Sequence, residues 1–354
     1  MDSVGRDHRK DIVLAHIVEA YVSSASPVSS KIVTERMGGN VSSATIRNVM
    51  SELEQLGFIE QPHTSAGRVP TNSGYRRYVA MKTEKVSYVK KEAERLRQEY
   101  SQRIETIKEV IEKTTFLISR ELHNAGVMMW PGFDNLYLKH LELVKVRAEA
   151  ALAILVTMTN AVKNHLIKLD REVSAEELGK VSRYINENHA ERPVSELSET
   201  IRKSLKNESN PLSNDVRSIA KIALKVLDGI ENENSGSDIY WEGLDNFMDE
   251  PEFSDISVIR RVFQVFSDKK KELAGILTRD ISSGEMKVYI GEECGVEMLK
   301  DCSIVTSGYF FRGKAVGRMG VIGPTRMDYD RALRTVSCLS SLISLKLEEI
   351  DGWA

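Results

Sequence analysis

Cysteine is scarce in this chain. There are three among 354 residues, Cys294, Cys302 and Cys338. The number is odd and no CxxC spacing occurs, so neither a disulfide framework nor a zinc ribbon is expected. Long apolar runs are lacking too. A membrane-spanning helix needs about 20 such residues, and the longest apolar patch, AALAILV from Ala150 to Val156, reads as a buried strand. The N-terminus, MDSVGRDHRKDIVLAH, lacks the hydrophobic segment of a secretory signal. These absences predict a cytoplasmic protein with no membrane partner. Charge of one sign is missing as well: the formal net charge is −3. Any nucleic-acid surface therefore has to be local, with the acids gathered elsewhere.

Enzyme signatures are also missing. There is no HExxH, no GxSxG, no Walker loop and no GxGxxG after a strand. The nearest glycine pattern, Gly317, Gly320 and Gly323, lies between strands, where glycine serves bends or close packing. His140, His165 and His189 are isolated. Glu292 and Glu293 are neighbours, and on a strand they would face opposite sides, which argues against a carboxylate dyad. No catalytic residue, cofactor or metal ion is expected.

What is present is an ordinary soluble composition, 41% hydrophobic and 29% charged, in a chain long enough for two or three domains. Ile12, Val13, Ile17, Ala20 and Tyr21 recur at helical spacing and predict a first helix over 10–23. Pro27 breaks it, and Ser29 or Ser30 can cap a second helix. After the turn Gly38-Gly39-Asn40, Ser42 or Ser43 opens a third helix. Its inner stripe is Ile46, Val49, Met50, Leu53 and Leu56. Gly57 ends it. A short strand at Phe58-Ile59-Glu60, the broken stretch PHTSAGRVP and a return at Val69 follow. Thr71 or Asn72 then caps a helix carrying Arg76 and Arg77.

Helix, helix, capped helix, strand, polar turn, strand is the order of a winged helix-turn-helix. In that motif the recognition helix puts its N-terminal residues at base edges in the major groove. Here those are Ser42, Ser43, Thr45, Arg47 and Asn48. Arginine can bond guanine bidentately and asparagine adenine. The serines suit phosphate, and Ser42 also suits a cap; both roles can coexist. The wing offers His63, Thr64, Ser65 and Arg68 for phosphate or minor-groove contact, and Arg76 and Arg77 add backbone charge. So few base contacts read only a short half-site, so useful specificity needs a dimer on a two-fold symmetric site in double-stranded DNA.

Beyond the head, Val86 to Leu122 reads as one long charged helix with a 3-4-3-4 apolar spacing over Val86, Val89, Ala93, Leu96 and Tyr100. It is either a helix lying on a core or a coiled-coil-like dimer seam. Three strands follow, LYLKHLELVKV, ALAILVTMT and VKNHLIKLD, and then polar helices from Ser174 to Ile230. Strand character returns after residue 285, and a last helix runs from Tyr329 to Glu349. Strands before and after a helical block predict one α/β domain interrupted by a helical insertion.

The stretch VSSATIRNVMSELEQLGFIEQPHTSAGRVPTNSGYRRYV resembles the N-terminal signature of the heat-inducible transcription repressor HrcA family. PEFSD at Pro251–Asp255, IGEE at Ile290–Glu293 and GRMGVIGPTRMDYDRAL at Gly317–Leu333 resemble its C-terminal signatures, although the family more often has asparagine at the position of Glu293. The resemblance implies an α+β multidomain chain: a winged helix-turn-helix over 1–80, a connector over 81–122, a GAF-like α/β domain with an antiparallel sheet over 123–172 and 238–354, and an inserted, mainly helical dimerising domain over 173–237. It also implies a repressor of chaperone operons that binds an inverted-repeat operator as a homodimer. The chaperonin assists such a repressor into its active form.

Two other readings of the residues stay open. A GAF-like domain can hold a small metabolite and so sense a ligand; a polar-lined pocket would favour this, and a filled interior would count against it. Arg326 and Asp328, in GPTRMD, suit a partner contact or a structural arginine tying a loop to the final helix.

Overall fold

The structure is a computed structural model that describes residues 2–39, 41–63, 66–83, 90–100, 107–130, 137–158, 162–206, 214–233, 238–268, 270–279 and 283–352. The head is built from α1 (Asp2–Ser24), α2 (Ser30–Arg36) and α3 (Ser43–Gln55), then β1 (Ile59–Glu60), β2 (Val69–Pro70) and α4 (Asn72–Thr83). Serine fixes where α2 and α3 begin. Ser29 accepts the amide of Ile32, and Ser42 accepts that of Thr45, meeting one unpaired donor of each first turn. Val13, Leu14, Ile17, Val33, Ile46, Val49, Leu53, Ile59 and Tyr78 close one core. Leu56 departs from the expected inner stripe: it is the C-cap residue of α3 and is exposed.

β1 and β2 pair antiparallel as the base of the wing. Val28 and Arg68 exchange two backbone hydrogen bonds of 2.8 Å, which ties the wing root to the segment between α1 and α2. Gly67 permits this. A Cβ there would lie 2.5 Å from the Val28 carbonyl carbon, closer than real side chains come.

The connector is not one rod. α5 (Lys90–Tyr100) and α6 (Ile107–Leu122) lie side by side and antiparallel. Arg95 donates to Glu121 at 3.0 Å, Arg120 to Glu99 at 2.7 Å, and the Tyr100 hydroxyl meets that of Thr114. Leu96, Tyr100, Val110 and Ile111 are buried in the main core, and both helices also contact the C-terminal helix. The apolar spacing is thus used within the chain, the plainer of its two readings. The start of the expected helix, 86–89, lies outside the described residues.

The larger sheet contains β3 (Ala125–Trp130), β7 (Asp238–Glu242), β8 (Lys287–Ile290), β9 (Cys302–Phe311) and β10 (Lys314–Pro324), all antiparallel. Its order is β7-β3-β10-β9-β8. Counting only its own strands, that is second, first, fifth, fourth, third. α6 and α12 (Tyr329–Gly352) cover one face. The other is covered by α10 (Ile256–Ser267) and α11 (Lys270–Thr278), with Phe247 and Phe253. Gly320 lets β9 and β10 approach: a Cβ there would stand 2.1 Å from the Val305 carbonyl oxygen. Glu292 and Glu293 lie in a 3-10 turn, Gly291–Cys294, and not on a strand as expected.

The insertion begins earlier than the sequence suggests. β4 (Leu138–Arg147), β5 (Ala150–Thr157) and β6 (Val162–Lys168) form a separate three-stranded sheet. Leu141, Leu143, Ala151, Ala153, Leu155 and Ile167 are buried on one side of it. α7 (Ala175–His189) and α9 (Asn214–Glu233) cover that side, and α8 (Val194–Lys206) packs on α9. The Ser182 hydroxyl accepts the Leu143 amide at 3.0 Å, and the Asn186 side chain bonds both the amide and the carbonyl of Leu141. These bonds seal the β4 edge against α7. The α/β core is therefore interrupted between β3 and β7. The three strands assigned from sequence to the GAF-like part of 123–172 belong with the helices, while β3, which the sequence did not mark as a strand, lies in the larger sheet.

Candidate nucleic-acid interface

α3 presents the expected residues in two groups. Ser42 and Ser43 are structural as well as accessible. The Ser42 hydroxyl caps the helix and meets the Thr45 hydroxyl at 2.9 Å, while Ser43 meets Ser30 of α2 at 3.0 Å. This pairing fixes α3 against α2 at the end where bases would be read. Thr45 is half-buried. Arg47 and Asn48 are exposed, and neither has a hydrogen-bond or ion-pair partner among the described residues. α2, α3 and α4 all start without an acid in the first turn, so the positive ends of their dipoles are not offset.

The wing is less uniform. His63 is exposed, and its carbonyl accepts the Ala66 amide at 2.9 Å. Thr64 and Ser65 lie outside the described residues. Arg68 is turned inward and pairs with Glu54 of α3 at 2.9 Å, bracing wing against recognition helix.

Arg76 and Arg77 sit next to each other on α4 and leave it in different directions. Arg77 grips Asp11 of α1 through two hydrogen bonds, 2.9 and 2.7 Å. Arg76 reaches the α/β core. It holds the Glu293 carboxylate through two nitrogens and donates to the Val288 carbonyl at 2.6 Å. Burial at this junction lowers its pKa.

Sequence reasoning passed over one feature and left a second open between two readings. Lys31, exposed in the first turn of α2, stands beside Ser30. In this motif the first helix crosses the phosphate backbone, so a basic residue at that turn was a readable signal. The second is the seam made by Arg326. It donates to Glu252 at 2.5 Å, to Glu250 at 2.6 Å and to the Val22 carbonyl near the end of α1 at 2.7 Å. Tyr75 and Tyr329 meet beside it, their rings tilted at 47° with centroids 5.6 Å apart. The arginine thus ties the head to the core, and Asp328 caps α12 through the Arg331 amide. Its partners, Glu250 in the loop and Val22 in the head, carry no motif that announces them.

Fold and surface together define a winged helix-turn-helix DNA-binding protein joined to an α/β domain built on a five-stranded antiparallel sheet. Residues 7–85 match the family described as winged helix-turn-helix transcription repressor, HrcA DNA-binding, and residues 108–333 match HrcA protein C terminal domain. The chain belongs to the HrcA family. It is 36% identical to the heat-inducible transcription repressor HrcA of Geobacter sulfurreducens, over 96% of this chain and 98% of that one. It is 34% identical to the repressor of the same name from Syntrophobacter fumaroxidans, over 96% of this chain and 97% of that one. A crystal structure described as that of a hypothetical protein shares the fold, with a TM-score of 0.63 and 23% identity over 97% of this chain and 98% of that one. Among the described residues no helix is long and apolar enough to cross a membrane.

Proposed function

We propose that this chain is a heat-inducible transcriptional repressor that binds an inverted-repeat operator of chaperone genes as a homodimer. Its activity is assisted by the chaperonin. α3 enters the major groove and reads bases with Thr45, Arg47 and Asn48. Ser42, Ser43, His63, Thr64 and Ser65 meet phosphate or the minor groove, and Arg68, Arg76 and Arg77 contribute where their present partners release them. The observation that carries this reading is the capped α3 with Arg47 and Asn48 exposed and their side chains unpaired among the described residues.

The insertion supplies the pairing surface. The outer side of its sheet is open and carries two rows rich in apolar side chains, with Glu142, Ile154 and Asn164 in the row between. Val144, Leu152 and Leu166 lie in register across the three strands, as do His140, Val156 and Val162. Val144, Val162 and Leu166 are 44%, 63% and 45% exposed. Such a face on a soluble protein marks an interaction site, and a half-site reader needs a second copy of itself.

The metabolite-sensing reading is less well supported. Side chains such as Tyr309, Phe311 and Met319 fill one face of the five-stranded sheet, and Met129, Ile304 and Ile322 fill the other. The buried Arg318 donates to Thr306 and to the Glu285 carbonyl.

The test is Arg47→Ala, measured on operator and on random DNA. A base contact predicts a loss of about 1–3 kcal/mol on the operator and little on random DNA. An equal loss on both would make Arg47 a phosphate contact and sink its role in reading sequence.

A further inference from the structure

The insertion contains a cavity that DNA binding and pairing leave unused. It opens between α7, α8 and α9 and measures about 620 Å³, within the span of roughly 300–1,000 Å³ usual for small-molecule sites. His189, in the last turn of α7, lines it while being only 5% exposed. Both of its ring nitrogens are buried, and neither has a hydrogen-bond partner among the described residues. Tyr184 meets the ring edge-on, with centroids 5.6 Å apart. Burial, and then Arg192, hold the imidazole pKa below its usual value, so the ring is neutral at neutral pH. A neutral imidazole offers one donor and one acceptor, and buried polar groups of this kind ordinarily have partners.

The charged groups lining the cavity are mostly cationic. Lys180, Arg183 and Arg192 face it, against the one carboxylate of Glu187. Lys180 is shared with Glu176 at 2.8 Å. Arg183 and Arg192 are exposed, and their guanidinium groups have no hydrogen-bond or ion-pair partner among the described residues. A guanidinium presents a planar fork that matches a carboxylate or a phosphate. Val216 and Ile219 of α9 complete the lining with apolar surface.

The geometry points to a binding site in the insertion for a small organic anion, its carboxylate or phosphate held by Arg183 and Arg192 and its body against His189 and Val216. The cavity is on the helical side of the insertion. The open face of the sheet is on the other side, so ligand and second copy do not compete there.

The test uses the full chain and two probes, citrate and inorganic phosphate, titrated by calorimetry. Saturable binding of either probe, weakened at least about tenfold, the equivalent of 1.4 kcal/mol, in Arg183→Gln/Arg192→Gln, supports the site. Which probe binds distinguishes a carboxylate ligand from a phosphate one. Both arginines are exposed, so circular dichroism of the double variant should match the parent. His189→Gln, which keeps a donor and an acceptor, should retain binding better than His189→Leu. No binding of either probe at millimolar concentration overturns the proposal. So does binding that the double variant leaves unchanged.

Discussion

Removing Arg326 tests whether burial sets the strength of the junction between head and core. Two arginines cross that junction. Arg326 is 12% exposed and its partners Glu250 and Glu252 are 24% and 26% exposed. Arg76 and Glu293 are 39% and 45% exposed. Truncating one partner of a fully buried pair costs about 3–5 kcal/mol, because a charge is left behind without compensation. The carboxylates here retain some water, so Arg326→Ala should cost about 2 kcal/mol after that discount. Glu293→Gln, at a half-exposed pair, should cost no more than about 1 kcal/mol. Urea unfolding followed by circular dichroism, with variants compared at one urea concentration, measures both. The sign of the pH dependence is a second check. Burial raises the Glu250 pKa, Arg326 opposes the rise and Glu252 adds to it. A carboxyl raised in the folded state contributes stability below its unfolded pKa and loses it as pH rises through the folded value. Without Arg326 the rise grows, so the cost of Arg326→Ala should be smaller at pH 5 than at pH 8. Equal losses for the two variants, or a cost that grows as pH falls, would refute the reasoning.

Other outcomes follow from the same geometry. Val144→Glu/Leu166→Glu places two acids in one cross-strand row and should give monomers in sedimentation; an unchanged dimer would move the interface away from the insertion's sheet. Glu177 closes the capping box of α7, and its hydrogen bond from Arg171, then that from the Ser174 amide, lower its pKa to about 2. Its contribution is present above the unfolded value near 4.5 and is lost as pH falls through about 2. Glu177→Gln should therefore destabilise by no more than about 1 kcal/mol at pH 7, being largely solvated, and by clearly less at pH 2, where the carboxyl is about half protonated. Refolded protein should bind its operator more fully in the presence of a chaperonin than in its absence at growth temperature; equal binding would remove the chaperonin from the proposal.

Local chemistry made the head readable. Ser29, Ser42 and Thr71 announce helix starts through their side-chain oxygens, and Gly57 announces an end. The apolar stripe Ile46, Val49, Met50, Leu53 follows from helical spacing alone. Partnership between distant segments was not readable. The three strands over 138–168 have the same alternation whichever sheet they join. Their assignment depends on α7 sealing β4 through Ser182 and Asn186, two polar residues whose role appears only in three dimensions. The connector stayed open between two readings for a related reason. A 3-4 spacing specifies a buried stripe but not what buries it, and α5 and α6 bury theirs within the chain.

The same limit applies to the arginines of α4. A basic pair just after a wing suits phosphate, and the sequence holds nothing to oppose that reading. In the folded chain Arg76 is committed to Glu293 and Val288, and Arg77 to Asp11. Neither guanidinium can keep a bidentate carboxylate and also take a phosphate with the same nitrogens. Among the described residues Arg47 and Asn48 carry no such commitment. On the proposed reading, the base-reading residues are thus exposed while part of the charge proposed for phosphate is engaged in holding the fold together. Each arginine that exchanged a carboxylate for a phosphate would steepen the salt dependence of DNA binding by about 0.9 in log–log slope. Arg76 could do so only by letting go of the core. A phosphate contact by Arg76, as proposed, would therefore link the strength of DNA binding to the docking of the head through one side chain.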